Sequence, residues 1–183
     1  MMDTASDRLT QAASARREDR LADAHRLYGE AVEAARGGRG EGDGAVLIQA
    51  LTGLAQIERD FGRCEAALPL YEEALAISRL EGDALTIAHT VRHVGDLHRE
   101  AGRPEPAERC YLEALEIYRG STTVPALDLA NAIRPLAILR DDAGDRVEAR
   151  RLWNEARALY AASGVREAVE ECSRRLARLD SGL

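Results

Sequence analysis

Four segments of this chain repeat one pattern of alanine, aromatic residue and alanine, and this repetition constrains the fold more than any other feature. An alanine lies four residues before each ring and another lies three residues after it, as Ala67 and Ala74 do. Successive rings are 43, 40 and 42 residues apart, at Tyr28, Tyr71, Tyr111 and Trp153. Positions i, i+4 and i+7 share one face of a helix, so the pattern predicts four helices that pack in the same way.

A second repeated segment lies upstream of three of these helices. It occupies residues 51–63, 91–103 and 133–145 and carries apolar residues at helical spacing. Helices commonly end on a glycine in a left-handed conformation, and each copy closes with one, at Gly62, Gly102 and Gly144. Each repeat is therefore predicted to contain two helices, A and B, that are joined by a tight turn.

The two ends of the array depart from this pattern. In the first repeat Asp19 replaces the turn glycine, and helix A (roughly residues 4–17) is polar and rich in alanine. After the fourth repeat, residues 164–180 carry apolar side chains on one face and three arginines on the other, namely Arg174, Arg175 and Arg178. Because the last unit of an array needs a polar outer face, this segment is predicted to be a capping helix.

These features resemble the tetratricopeptide repeat (TPR) family. The resemblance rests on the segments Gly62–Ala67 and Gly144–Ala149, which lead from a glycine into Glu-Ala, and on the four Leu/Cys-aromatic-x-Glu-Ala blocks. It covers about residues 5–162, and the repeat length of about 40–42 residues is similar to the kinesin-light-chain-like branch. The resemblance implies an all-α fold, a right-handed α-solenoid of four TPR helix hairpins plus a C-terminal capping helix.

The array is predicted to form a single TPR domain over residues 1–183. The glycine-rich segment 37–44 lacks the ending of a phosphate-binding loop, so it is predicted to be a flexible connection between the first two repeats. The predicted bounds of the repeats are about 4–36, 44–80, 83–119 and 124–162, with the capping helix at about 165–180.

Composition narrows the classes of function. The net charge is -7, whereas nucleic acids and anionic membranes select a basic surface. No stretch approaches the length of about 18 apolar residues that a transmembrane helix needs. The N-terminus lacks the apolar run of a signal peptide, and the three cysteines form no short-spaced pairing motif. We therefore expect a cytoplasmic protein with no nucleic-acid or membrane partner.

The resemblance also implies where a protein partner would bind. The A helices of TPR proteins form the concave inner wall, and the alignment of the repeats carries the inward-facing positions onto this chain. Such groups can bind the backbone or the carboxylates of a peptide, which predicts a non-catalytic protein–protein interaction scaffold. The predicted wall residues are Gln49, Thr52, Gln56, Arg59, His89, Arg92, His93, Asp96, Arg99, Asn131 and Arg134.

Two consequences follow for this groove. Substituting Arg92, His93 and Arg134 is expected to abolish capture of the partner without lowering the melting temperature. The carboxylate clamp of chaperone-binding TPR proteins is not expected, because it needs lysines and the chain contains none. The positions aligned with that clamp hold Thr52, Gln56, His93 and Pro135.

Two alternative functions remain open. One is a self-associating structural protein, a homodimer that pairs through the capping helix or through an exposed face of a B helix. The other is a sensor of a small ligand or metal that uses His89, His93 and Asp96, since histidines four residues apart share one face of a helix. No cofactor is expected, and no serine or cysteine lies beside a base in a recognised catalytic motif, so no enzymatic activity is expected.

Overall fold

The computed structural model describes residues 4–38, 43–81 and 84–181, and these residues form nine α-helices. Residue 83, the predicted start of the third repeat, and residues 39–42 of the glycine-rich segment lie outside the described residues. The helices are α1 (Ala5–Arg17), α2 (Leu21–Gly37), α3 (Asp43–Asp60), α4 (Cys64–Glu81), α5 (Ala84–Glu100), α6 (Pro104–Gly120), α7 (Ala126–Asp142), α8 (Arg146–Ala162) and α9 (Arg166–Ser181).

Consecutive helices pair as hairpins, and the hairpins stack side by side. The pairs are α1–α2, α3–α4, α5–α6 and α7–α8, and each hairpin packs on the next one along the chain. Helix α9 packs on α8 and closes the stack. This arrangement confirms the predicted all-α solenoid of four helix hairpins followed by a further helix. No helix of the described ranges has the length and apolar character that crossing a membrane requires.

The repeated rings lie in the core between the helices. Tyr71, Tyr111 and Trp153 are fully buried, and Tyr28 is 6% exposed. The alanines on both sides of each ring are fully buried as well. A methyl side chain lets the neighbouring helix approach closely, and the ring fills the gap that remains between layers. The alanine and aromatic stripe of the sequence is therefore the inner face of every B helix.

The tight turns place one residue each in the left-handed region. Gly62, Gly102 and Gly144 have φ values of 74°, 68° and 77°. Asp19 has φ 58° at the equivalent position, so the first repeat keeps the turn although it lacks the glycine. Gly164, with φ 74°, makes a turn of the same kind between α8 and α9, which the sequence analysis did not identify.

Replacing Asp19 with glycine should stabilise the chain, because an L-residue in the left-handed region carries a steric cost that glycine avoids. We expect the Asp19→Gly variant to gain about 0.5–1 kcal/mol in free energy of unfolding. The measurement is urea denaturation followed by far-UV circular dichroism. The matched control is Gly102→Ala, which introduces the same cost at an open turn and should lose a similar amount; a gain in that variant would contradict the explanation.

Neighbouring B helices are also joined by an ion pair that recurs in each repeat. In each pair an arginine near the end of one B helix binds a glutamate in the middle of the next. These pairs are 38–53% exposed except for Glu155, at 30%, so each contributes little to stability and serves mainly to fix the register of the stack. The three pairs are Arg36–Glu73, Arg79–Glu113 and Arg119–Glu155, at 2.7, 2.7 and 2.9 Å.

Candidate functional site

A cleft of about 680 Å³ opens on the concave side of the stack. The A helices α1, α3 and α5 supply most of its lining, and side chains from α2, α6 and α7 complete it. Its apolar surface comes from Leu9, Ile48 and Leu85, and the ring of Tyr28 lies beside them. Hydroxyl and amide side chains surround this apolar surface, namely Thr10, Gln49, Thr52, Gln56, Thr86 and Thr90.

The shape of the concave wall depends on one aligned position of the A helices. Gly53 of α3 and His93 of α5 are equivalent in the alignment of the repeats. At Gly53 the Tyr28 ring comes so close that a Cβ atom would overlap it. At His93 the imidazole stacks on the Tyr71 ring, with centroids 5.2 Å apart and planes 11° from parallel. Gly53 therefore leaves the Tyr28 ring on the wall of the cleft, whereas His93 covers the equivalent Tyr71 ring.

We expect Gly53→Ala to destabilise the chain by about 1–2 kcal/mol, although alanine is the better helix former. The added methyl would displace the Tyr28 ring, which is only 6% exposed. The matched control is Gly29→Ala on α2, where a Cβ would have no neighbour within 4 Å. That control should gain up to about 1 kcal/mol. Equal effects of the two substitutions in urea denaturation would contradict this account of Gly53.

A buried network of charges lies next to the cleft and joins α3, α5 and α6. At its centre the carboxylate of Asp96, which is 6% exposed, accepts three hydrogen bonds. The donors are Tyr111 Oη at 3.0 Å, Arg92 Nη1 at 3.1 Å and Arg59 Nη1 at 3.4 Å. Arg59 also donates through Nε to both carboxylate oxygens of Glu100, at 3.0 Å. Burial would raise the pKa of Asp96, but the nearby His93 Nδ1, 3.5 Å away, and the arginines lower it overall.

His93 belongs to the same network as a neutral ring. Its Nε2 accepts from Arg92 Nη2 at 2.7 Å, so the proton of the neutral imidazole is assigned to Nδ1, which lies 3.5 Å from Asp96 Oδ2. The ring is 5% exposed, and this burial lowers the pKa of His93 to about 3, against the opposing effect of Asp96. His93 is therefore uncharged at neutral pH and fills space in the wall.

The depressed pKa of His93 predicts an acid-sensitive fold. The unfolded ring takes up a proton near pH 6.5, whereas the folded ring does so only near pH 3. Stability should therefore fall as pH drops from about 6.5 towards 3, by up to about 1.4 kcal/mol per pH unit. Burial lowers the pKa of His89 as well, which acts in the same direction. Urea denaturation at about pH 7.5, 5.5 and 4.5 should show a shallower slope for His93→Phe; an unchanged slope would contradict the assignment.

The predicted wall residues divide into three groups. Four of them line the cleft: Gln49, Thr52, Gln56 and His89. Five belong to the region around the buried network and do not line the cleft: Arg59, Arg92, His93, Asp96 and Arg99. The remaining two lie farther along the stack, where Arg134 donates to Glu171 at 3.0 and 2.9 Å and Asn131 accepts from Tyr160 Oη at 2.9 Å. These last two border a separate depression of about 450 Å³ next to α9.

The contacts of three predicted wall residues argue against one expectation from the sequence. Arg92, His93 and Arg134 were expected to be replaceable without a loss of melting temperature. Arg92 holds Asp96, His93 packs on Tyr71, and Arg134 holds Glu171. Removing any one of them would leave a partly buried partner unsatisfied, which costs stability. They stabilise the stack and are poor probes of binding.

The histidine pair does not form a three-ligand metal site. His89 and His93 meet edge to face, with ring centroids 4.6 Å apart, but Asp96 is engaged by arginines. Across residues 4–38, 43–81 and 84–181, no three His, Cys, Asp or Glu side chains are arranged to hold a metal ion. The metal-binding form of the predicted sensor, with His89, His93 and Asp96 as ligands, therefore has no support from the geometry of the described residues.

Part of the cleft lies outside the predicted wall residues. On α1, Leu9 and Ala13 line it, and they stand 43 residues before Thr52 and Gln56, the same interval as between Tyr28 and Tyr71. Extending the alignment to the first repeat would have found them. Tyr118 of α6 and Asp128 of α7 also line the cleft. Asp128 stands 42 residues after Thr86, which also lines the cleft, and this is the interval between Tyr111 and Trp153. Tyr118 lies on a B helix, where the A-helix pattern gives no signal.

The geometry defines a class of protein before any relative is considered: a stack of helix hairpins with a polar, preformed cleft on its concave face. Residues 46–120 match the tetratricopeptide repeat family, and the hairpins continue on both sides of that match. Residues 46–120 therefore carry tetratricopeptide repeats, and the hairpins on either side of them have the same fold. Members are generally non-catalytic scaffolds, and the fold supports a role in protein–protein interaction. No curated protein sequence matches the chain significantly.

Solved structures share the fold at low sequence identity. BtubC (BKLC) from P. vanneervenii is 23% identical with a TM-score of 0.71, over 97% of this chain and 80% of that one. Kinesin light chain TPR-like repeats from Podosopora anserina are 14% identical with a TM-score of 0.69, over 99% and 98%. Aspartyl phosphate phosphatase F from Bacillus subtilis is 16% identical with a TM-score of 0.85. The match covers all of this chain but only 47% of the phosphatase.

Proposed function

We propose that this chain is a non-catalytic scaffold that holds an extended segment of another protein in the cleft lined by α1, α3 and α5. The observation that carries the proposal is the cleft itself, in which hydroxyl and amide side chains surround an apolar surface. An extended peptide presents both kinds of group, since its backbone donates and accepts hydrogen bonds while its side chains fill apolar space.

Two features of the wall support binding of a backbone. Gln49 is exposed, so its amide can donate and accept without giving up an internal bond. Thr52 Oγ1 is buried and has no hydrogen-bond partner among the described residues. A buried hydroxyl without a partner carries a cost of about 1–3 kcal/mol, and a ligand that bonds to it would recover that cost.

The network next to the cleft supports a preformed site. Arg59 ties α3 to α5 through Asp96 and Glu100, and Arg16 of α1 binds Gln56 of α3. These links hold the three A helices of the wall in one arrangement before a partner arrives. A wall that is already ordered loses less conformational entropy on binding.

The test is capture of proteins from a native lysate with three baits. Gln49→Trp places a large ring on the wall of the cleft, at an exposed position that does not disturb the core. Glu116→Trp makes the same change on the exposed face of α6 and is the matched control. We expect a protein that is captured by the wild type and by Glu116→Trp but not by Gln49→Trp. Equal capture by all three baits would contradict binding in the cleft.

If the baits captured only this chain, the same experiment would indicate self-association. The outward side of α9 carries exposed Arg166, Glu167, Glu170 and Arg174. A surface of mixed charges suits a solvated cap better than the apolar centre of a dimer interface. The B helices expose Leu80, Leu112 and Val147, so self-association, if the experiment shows it, is expected through a B-helix face and not through α9.

A further inference from the structure

We infer that the cleft selects a protein segment with a basic side chain, lysine or arginine, which seats against Asp128 between Tyr118 and His89. This inference rests on the proposed function and specifies which partner the same cleft accepts. All three residues line the cleft, and they come from α7, α6 and α5.

Asp128 differs from the other acids of the concave wall because it lacks an internal cation. Asp96 and Glu100 bind Arg59, Glu171 binds Arg134, and Asp141 binds Arg175 and Arg178 of α9. By contrast, the carboxylate of Asp128 forms no ion pair and no side-chain hydrogen bond within the described ranges. A half-buried carboxylate without a cation is one that a ligand cation can pair with.

The surroundings of Asp128 favour a cation further. Tyr118 is 3% exposed, and its ring belongs to the lining, where an aromatic face attracts a positive group. Burial lowers the pKa of His89, so that ring is neutral and does not compete for the carboxylate. Burial raises the pKa of the Tyr118 hydroxyl, whereas a hydrogen bond from Arg92 of α5, a cation close to this site, acts to lower it. The Arg92 guanidinium is held by Asp96 and by His93 Nε2, and it forms no ion pair with Asp128 within the described ranges.

The charge of the whole chain acts in the same direction. The net charge is -7, and a field of that sign steers basic segments towards the surface and raises the rate of association. A basic residue that reaches the cleft then finds an unpaired carboxylate, whereas an acidic residue would meet repulsion at the same place. The lining also holds a cation, Arg17 in the last turn of α1, so the complementarity to a basic side chain is confined to the part of the cleft around Asp128, Tyr118 and His89.

The experiment uses the full chain and a display library of random linear peptides. Baits are the wild type, Asp128→Asn, the cleft variant Gln49→Trp and the matched control Asp142→Asn, which removes an exposed acid at the other end of α7. The wild type and Asp142→Asn are expected to enrich peptides that share a lysine or arginine at one position. Asp128→Asn should still enrich peptides but without that preference.

Affinity and charge reversal complete the test. For a selected peptide, replacing the shared basic residue with methionine should weaken binding to the wild type by about tenfold. The same replacement should change binding to Asp128→Asn by less than about twofold. Replacing it with glutamate should abolish binding to the wild type and restore it in Asp128→Arg.

The outcomes separate the inference from the proposed function. Enrichment by the wild type without a basic preference, or the same preference in Asp128→Asn, would overturn the role of Asp128 and leave binding in the cleft intact. If the wild type enriched no more peptides than Gln49→Trp, binding in the cleft would fail, and the inference would fail with it.

Discussion

Replacing Asp96 with alanine is expected to cost about 3–5 kcal/mol in free energy of unfolding. The carboxylate is 6% exposed and accepts from Tyr111, Arg92 and Arg59. Its removal would leave two guanidinium groups near each other and a buried tyrosine hydroxyl without an acceptor. Breaking a buried charge network from one side is costly for this reason. Urea denaturation followed by far-UV circular dichroism measures the loss.

The control for Asp96 lies on the next A helix. Asp142→Ala removes an exposed carboxylate that forms no ion pair among the residues of the described ranges, and should change stability by less than about 0.5 kcal/mol. Because Arg59 and Asp96 join the second hairpin to the third, the Asp96→Ala variant should also unfold less cooperatively than the wild type. A loss below about 1 kcal/mol would show that solvent already screens the network.

Replacing Trp153 with alanine is expected to have a similarly large effect, about 3–5 kcal/mol. The indole is fully buried and is the only tryptophan of the chain. It belongs to the core cluster shared by α7, α8 and α9, and Arg175 of α9 lies over the ring with its Cζ 5.6 Å from the centroid. Alanine would leave a cavity at the place where the last helix docks.

The matched control is Trp153→Tyr, which restores the residue that the other three repeats carry at this position. Tyrosine keeps most of the ring and should lose less than about 1.5 kcal/mol. Backbone hydrogen exchange measures the local consequence, since Trp153→Ala should raise exchange in α9 more than in α1. Uniform exchange along the chain would show that α9 does not depend on this ring.

The sequence by itself determined the number of repeats, the helices and the buried faces. The Ala–aromatic–Ala stripe specifies these because small and large side chains at helical spacing can be satisfied in only one packing arrangement. Gly62, Gly102 and Gly144 marked three tight turns for a local reason, the steric freedom of glycine in the left-handed region. Asp19 showed that the turn persists without glycine.

Only the tertiary structure decided which polar side chains of the wall have no internal partner and can bind a ligand. Arg59, Arg92 and Arg134 read as binding groups in the sequence, because an inward-facing arginine looks the same whether or not an acid lies opposite. Arg59 pairs with Asp96 of the next hairpin and Arg134 with Glu171 of α9, each 37 residues away. Arg92 pairs with Asp96 on its own helix. Tyr118 of the B helix α6 lines the cleft, which the pattern of the A helices does not record. Local spacing determines the helices, whereas the pairing of charges depends on which side chains the packed hairpins bring together.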